Sequence, residues 1–95
     1  MYIDYEILSV VEDMSAAPQS DFHGMNCTPI AIGRYDDSTK MLCLSATQAN
    51  FPNLSSGQKY NIIARKKENQ KTDSFSGTYN SDWSFRIFQY NGTAV

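Results

Sequence analysis

The chain contains a single histidine, two cysteines, three prolines and five glycines, and each scarcity removes a class of function. With His23 as the lone imidazole, a hydroxyl or thiol nucleophile has one candidate base, and a triad built on that base is unsupported by any other feature. His23 and Cys27 stand at a spacing that suits two metal ligands. A zinc site generally needs four, and only Cys43 and a distant carboxylate are left to complete it. Gly24, Gly33, Gly57, Gly77 and Gly92 are isolated from one another, so no phosphate-cradling loop of the glycine-rich kind exists. The paired acids Glu12-Asp13 and Asp36-Asp37 are sequence neighbours, which on a strand point to opposite faces and in a turn are ordinarily solvated. The expectation is a protein that is not an enzyme and holds no cofactor and no metal.

Two cysteines are too few for the disulfide framework of a small secreted domain. If Asp37-Ser38 forms the tip of a hairpin, facing positions sum to about 75, which sets Cys43 opposite Ile32 and Cys27 opposite Gln48. Two reduced, mostly buried thiols follow. Long hydrophobic runs are also absent: no window approaches the roughly 18 apolar residues of a spanning helix. The stretch Met1-Tyr2-Ile3-Asp4-Tyr5-Glu6 is acidic where a signal peptide would be basic. These features predict a cytoplasmic protein with no membrane association.

What the chain does have is polar residues and β-formers. At 95 residues it is one domain spanning residues 1–95, with 41% hydrophobic and 19% charged residues. Tyr2 to Val11 reads as a first strand, with Ile3, Tyr5 and Ile7 sharing a face with Ser9 and Val11. Asp13 to Asp21 loses periodicity around Pro18 and reads as a loop long enough to bind something. Asn26 to Tyr35 is a second strand whose Pro29 favours an edge or bulge. Lys40 to Ala46 follows as a third strand, apolar on both faces and therefore central. Phe51 and Leu54, in the turn-rich segment Asn50 to Gly57, are placed to plug one end of the core.

Tyr60 to Ala64 is a fourth strand, and Lys66 to Asn80 reads as a long polar loop. Trp83 to Tyr90 closes the sheet as a fifth, with Trp83, Phe85 and Ile87 facing the core. The fold class is all-β: a small five-stranded OB-like barrel, because closure removes exposed strand edges, with an SH3-like barrel or small sandwich as alternatives.

Charge and aromatics are both concentrated late in the chain. Residues 1–58 carry seven acids and two bases, a sum of −5, whereas residues 59–95 carry six bases and three acids, a sum of +3. Six of the twelve aromatic residues fall between Phe75 and Tyr90. Single-strand-binding proteins combine a basic track for the phosphates with rings on which bases stack. The candidate track is Arg65, Lys66, Lys67, Lys71 and Arg86; the candidate rings are Phe75 and Tyr79, in the long loop, and Phe88 and Tyr90, on the Arg86 face of the last strand.

In its layout the chain resembles the small OB-fold single-strand-binding proteins of phages and plasmids, a likeness of architecture in which no motif matches residue by residue. It implies a small non-enzymatic module that binds single-stranded nucleic acid. Against that stands the net charge of −2, since phosphate binding favours a basic balance. The other reading is an acidic protein-interaction module such as an inhibitor, immunity or accessory protein, which would meet a larger protein partner through Asp4, Glu6, Glu12, Asp13 and Asp21.

Overall fold

The computed structural model describes residues 2–12 and 28–93, with side chains described as far as residue 89. Within them lie six strands: β1 (Tyr2–Glu12), β2 (Ala31–Asp36), β3 (Met41–Thr47), β4 (Lys59–Lys66), β5 (Thr72–Asn80) and β6 (Ser84–Thr93). They close into an antiparallel barrel in the order β1-β2-β3-β6-β5-β4. Two three-stranded meanders, β1-β2-β3 and β4-β5-β6, are thus joined edge to edge along two seams. Among the described residues no helix is long and apolar enough to cross a membrane.

The small all-β barrel expected from the sequence is present, with six strands in place of five. The extra one is β5, within the segment expected to be a loop. Asp73, Phe75, Gly77 and Tyr79 alternate with Ser74, Ser76 and Thr78, a period of two that serine, glycine and threonine obscure. Both faces of β5 are buried from Asp73 to Gly77. The Ser76 hydroxyl donates to Asn61 Oδ1 at 2.8 Å, giving two buried polar groups a mutual partner.

Inward alternation fills the barrel with rings. Tyr5 meets Phe75 edge to face at 5.2 Å between centroids, and Tyr35 packs on the same ring at 5.2 Å. A second cluster joins Tyr60, Tyr79 and Phe85. β5 therefore supplies one ring to each cluster, and Phe75 and Tyr79, expected to stand free in a loop, are 1% and 8% exposed. Tyr5 also donates its hydroxyl to Asp73 Oδ2 at 2.6 Å, with Lys66 Nζ 3.8 Å from the same oxygen. Phe51 and Leu54 pack against the core, as their sequence context suggested.

Bulges explain the faces that the sequence misplaces. In β1 the register shifts between Ile7 and Ser9, so Leu8 is an extra residue and Val10, in place of Ser9 and Val11, joins the core. Another shift, between Ile32 and Gly33, alters the β2–β3 pairing. Facing positions sum to 77 near the turn, so Cys43 lies opposite Arg34 and not Ile32. Its thiol is free and exposed, because Leu42 and Leu44 take the inward positions of β3. Strand β2 starts at Ala31, leaving Pro29 outside the ladder, where its missing N–H costs nothing. The segment Asp13 to Asp21, His23 and Cys27 lies outside the described residues.

Candidate nucleic-acid interface

The seam between β3 and β6 is short. It pairs Met41 with Arg86, Leu42 with Phe85 and Cys43 with Ser84. Flanking backbone bonds extend it at each end, from Leu44 N to Trp83 O and from Ile87 N to Lys40 O, both 2.8 Å. Beyond Ile87, β6 runs past the β2–β3 turn instead of a strand. A cleft of about 350 Å³ opens there, lined by Ile3, Tyr35, Asp37, Lys40, Ile87, Phe88 and Gln89.

Cross-strand register builds the surface beside the cleft. Lys59 of β4 faces Thr78 of β5, Thr78 faces Arg86 of β6, and Arg86 faces Met41 of β3. Directly opposed residues project to the same side of a sheet, so this row stands on the outside of the barrel. Next along β6, Gly77 pairs with Ile87 and Ser76 with Gln89, leaving Phe88 as the extra residue of a bulge. Ile87 points into the core, and Phe88 projects outward at 50% exposure. Lys59 Nζ lies 5.4 Å from the centroid of its ring.

Gly77 borders that bulge. A Cβ at this position would sit 2.9 Å from Ile87 Cδ1 and 3.1 Å from the Arg86 carbonyl oxygen, closer than side chains normally pack. A side chain here would require the end of Ile87 and the Arg86 carbonyl to give way by a few tenths of an ångström.

The cations expected to form a basic track divide into three groups. Arg65 is engaged by Glu6, Nε to Oε1 at 3.0 Å, in a pair with little exposure, and Lys66 leans toward the buried Asp73. Lys67 and Lys71 are exposed at the β4–β5 turn. Lys67 shares a cleft with the exposed Tyr2, whereas Arg86 stands in the row next to Phe88 with Lys59, and Lys40 lines the same cleft as Phe88; the sequence reading left out both of these lysines. Among the described residues Lys40, Lys59 and Arg86 make no ion pair.

Of the candidate rings, Phe88 is on this surface, Phe75 and Tyr79 are in the core, and the Tyr90 side chain lies outside the described residues. Trp83, expected in the core, occupies the β5–β6 turn at φ 65° and is 48% exposed. Searches against protein-family models, curated proteins and solved structures returned no match. The chemistry of the surface therefore has to carry the functional reading.

That chemistry is a cation–π platform flanked by positive charge. An ammonium on a ring costs little desolvation at an exposed site and holds the ring's orientation. Three cations with no ion pair among the described residues leave a local positive field on a chain whose net charge is −2. The sequence reading leaves out Lys59 because its place depends on pairing with β5, and it has Lys40 only as the first residue of the third strand. Among the described residues no three His, Cys, Asp or Glu side chains gather so as to hold a metal ion.

Proposed function

We propose that the protein binds single-stranded nucleic acid on the outer face formed by β3, β6, β5 and β4. Phe88 stacks on a base, while Arg86, Lys59 and Lys40 contact the phosphates on either side of it. The observation that supports this most directly is the exposed Phe88 ring among three cations with no ion pair among the described residues. Rings of this kind accept any base, because every base offers a π face, and the backbone charge supplies most of the remaining affinity.

The acidic-module reading is weakened by the ion pairs. Asp4 accepts from Arg34 Nε at 2.9 Å and Glu6 from Arg65 Nε at 3.0 Å, so two of its five acids are already matched by cations of this chain. Glu12 is exposed, and Asp13 and Asp21 lie outside the described residues.

Fluorescence anisotropy of a labelled 20-mer single strand, at low and high salt and against the corresponding duplex, tests the proposal. Saturable binding to the single strand that weakens with salt is the expected result. No binding at low salt would refute it.

A further inference from the structure

The cleft next to Phe88 has the makings of a base-sized compartment. Its walls are apolar and flat: Ile3 and Ile87 contribute aliphatic surface, and Tyr35 and Phe88 contribute rings. Its rim is polar, with the Asp37 carboxylate and the Lys40 ammonium at the β2–β3 turn and the Gln89 amide on β6. Its volume of about 350 Å³ is at the small end of ligand pockets, suited to one planar heterocycle and not to a larger cofactor. Single-stranded nucleic acid offers such a group when one base is unstacked and turned out of the strand, its faces against rings and its edge read by hydrogen bonds.

Resting on the nucleic-acid reading above, we infer that this cleft captures one base of the bound strand and prefers guanine, through acceptance of the guanine N1–H and N2–H donors by Asp37. The selection follows from donor and acceptor patterns. A carboxylate only accepts, and it has about four lone-pair positions, so a contact already made by Asp37 does not use up its capacity. Guanine presents two adjacent N–H groups on its Watson–Crick edge. Adenine and cytosine offer one exocyclic amine beside a bare ring nitrogen, and thymine sets its single N–H between two carbonyl oxygens that a carboxylate repels.

Tyr35 fits the same picture. It lines the cleft together with Asp37, and burial, then the charges of Asp37 and Asp36, hold its phenol above the ordinary tyrosine range. Lys40, at the same turn as Asp37, is available for the phosphate of the captured nucleotide. The platform at Phe88 and Lys59 is then general, and the cleft adds register.

The test compares an all-thymine 20-mer with a thymine 20-mer carrying isolated guanines, by anisotropy at one salt concentration. The guanine-bearing strand is expected to bind on the order of 5- to 100-fold more tightly, the range for one well-formed bidentate base contact. Asp37→Ala is expected to abolish that preference, and to leave all-thymine binding unchanged or slightly stronger because a negative charge is removed from the surface. Asp37 is an exposed turn residue, so the variant is expected to fold. Equal affinity for the two strands, or a preference that survives Asp37→Ala, would overturn the inference while leaving strand binding intact. Failure to bind either strand would instead overturn the reading on which it rests. Guanosine 5′-monophosphate, titrated alone, is expected to bind far more weakly than the strand; equal affinity would assign the cleft to a free nucleotide and overturn its role in strand binding.

Discussion

The Lys59 ammonium lies 5.4 Å from the centroid of the Phe88 ring, although β4 and β6 are held apart by β5. The contact spans three strands because Lys59, Thr78 and Arg86 are in register and the bulge at Phe88 carries its ring toward that row. Surface and core are thus set by the same strands: β5 and β6 send Phe75, Tyr79, Phe85 and Ile87 inward and leave Arg86 and Phe88 outside.

Phe88→Ala is expected to separate binding from stability. Removing one stacking ring costs about 1–3 kcal/mol of single-strand affinity, while the lost exposed cation–π contact changes stability by about 1 kcal/mol or less. Anisotropy titration and thermal melting of the same preparation check both numbers.

Phe75→Ala is expected to do the reverse. The ring is 1% exposed and bears on both Tyr5 and Tyr35, so its loss opens a cavity worth about 3–5 kcal/mol. In a domain this small that lowers the melting temperature by tens of degrees, about 4–8 °C per kcal/mol. A well-folded variant that lost only binding would return Phe75 to the surface role expected from sequence.

Tyr5→Phe removes the 2.6 Å donor to the buried Asp73 and leaves that carboxylate with Lys66 Nζ at 3.8 Å. Stability is expected to fall by about 1.5–3 kcal/mol, as for hydrogen bonds to charged groups. Urea denaturation measures it, and strand affinity is expected to be unchanged.

The β2–β3 turn gives a pH signature. Asp36 accepts from the Ser38 hydroxyl at 2.7 Å and the Ser38 N–H at 3.0 Å, which hold its carboxyl below the ordinary aspartate range. A folded-state pKa depressed in this way stabilises the protein above the unfolded value, and the stabilisation is lost as pH falls through the folded value. Ser38→Ala keeps the N–H and loses the hydroxyl, so the Asp36 pKa is expected to rise part of the way, read from the side-chain carbonyl shift in an NMR titration.

Much of the barrel is legible in the chain, because β1, β4 and β6 carry β-branched and aromatic residues and β3 an apolar run. Strand β5 is hidden for a physical reason: Ser74, Ser76 and Gly77 are buried without being hydrophobic, Ser76 with a hydrogen bond to Asn61 and Gly77 by close approach to β6. Missing it sent Phe75 and Tyr79 to a loop and concealed the row that brings Lys59 to Phe88. One-residue bulges caused the other displacements, since a single insertion exchanges the two faces of a strand. Trp83 was lost to the core by a positive-φ turn that its hydrophobicity does not advertise. Arg86 and Phe88 are exposed on β6, outside the core that Phe85 and Ile87 enter, as their alternation suggests. Arg65 and Lys66 could not be discounted without seeing Glu6 and Asp73 across the barrel wall.

The salt dependence of single-strand binding in two double variants tests the central claim most directly. Each phosphate contact contributes a slope of about −0.7 in log K against log salt for single strands. Lys59→Ala with Arg86→Ala is expected to weaken binding and flatten the slope by about 1.4. Lys67→Ala with Lys71→Ala, at the β4–β5 turn, is expected to leave it nearly unchanged. A slope that follows Lys67 and Lys71 instead, or that neither pair moves, would contradict the placement of the interface at Phe88.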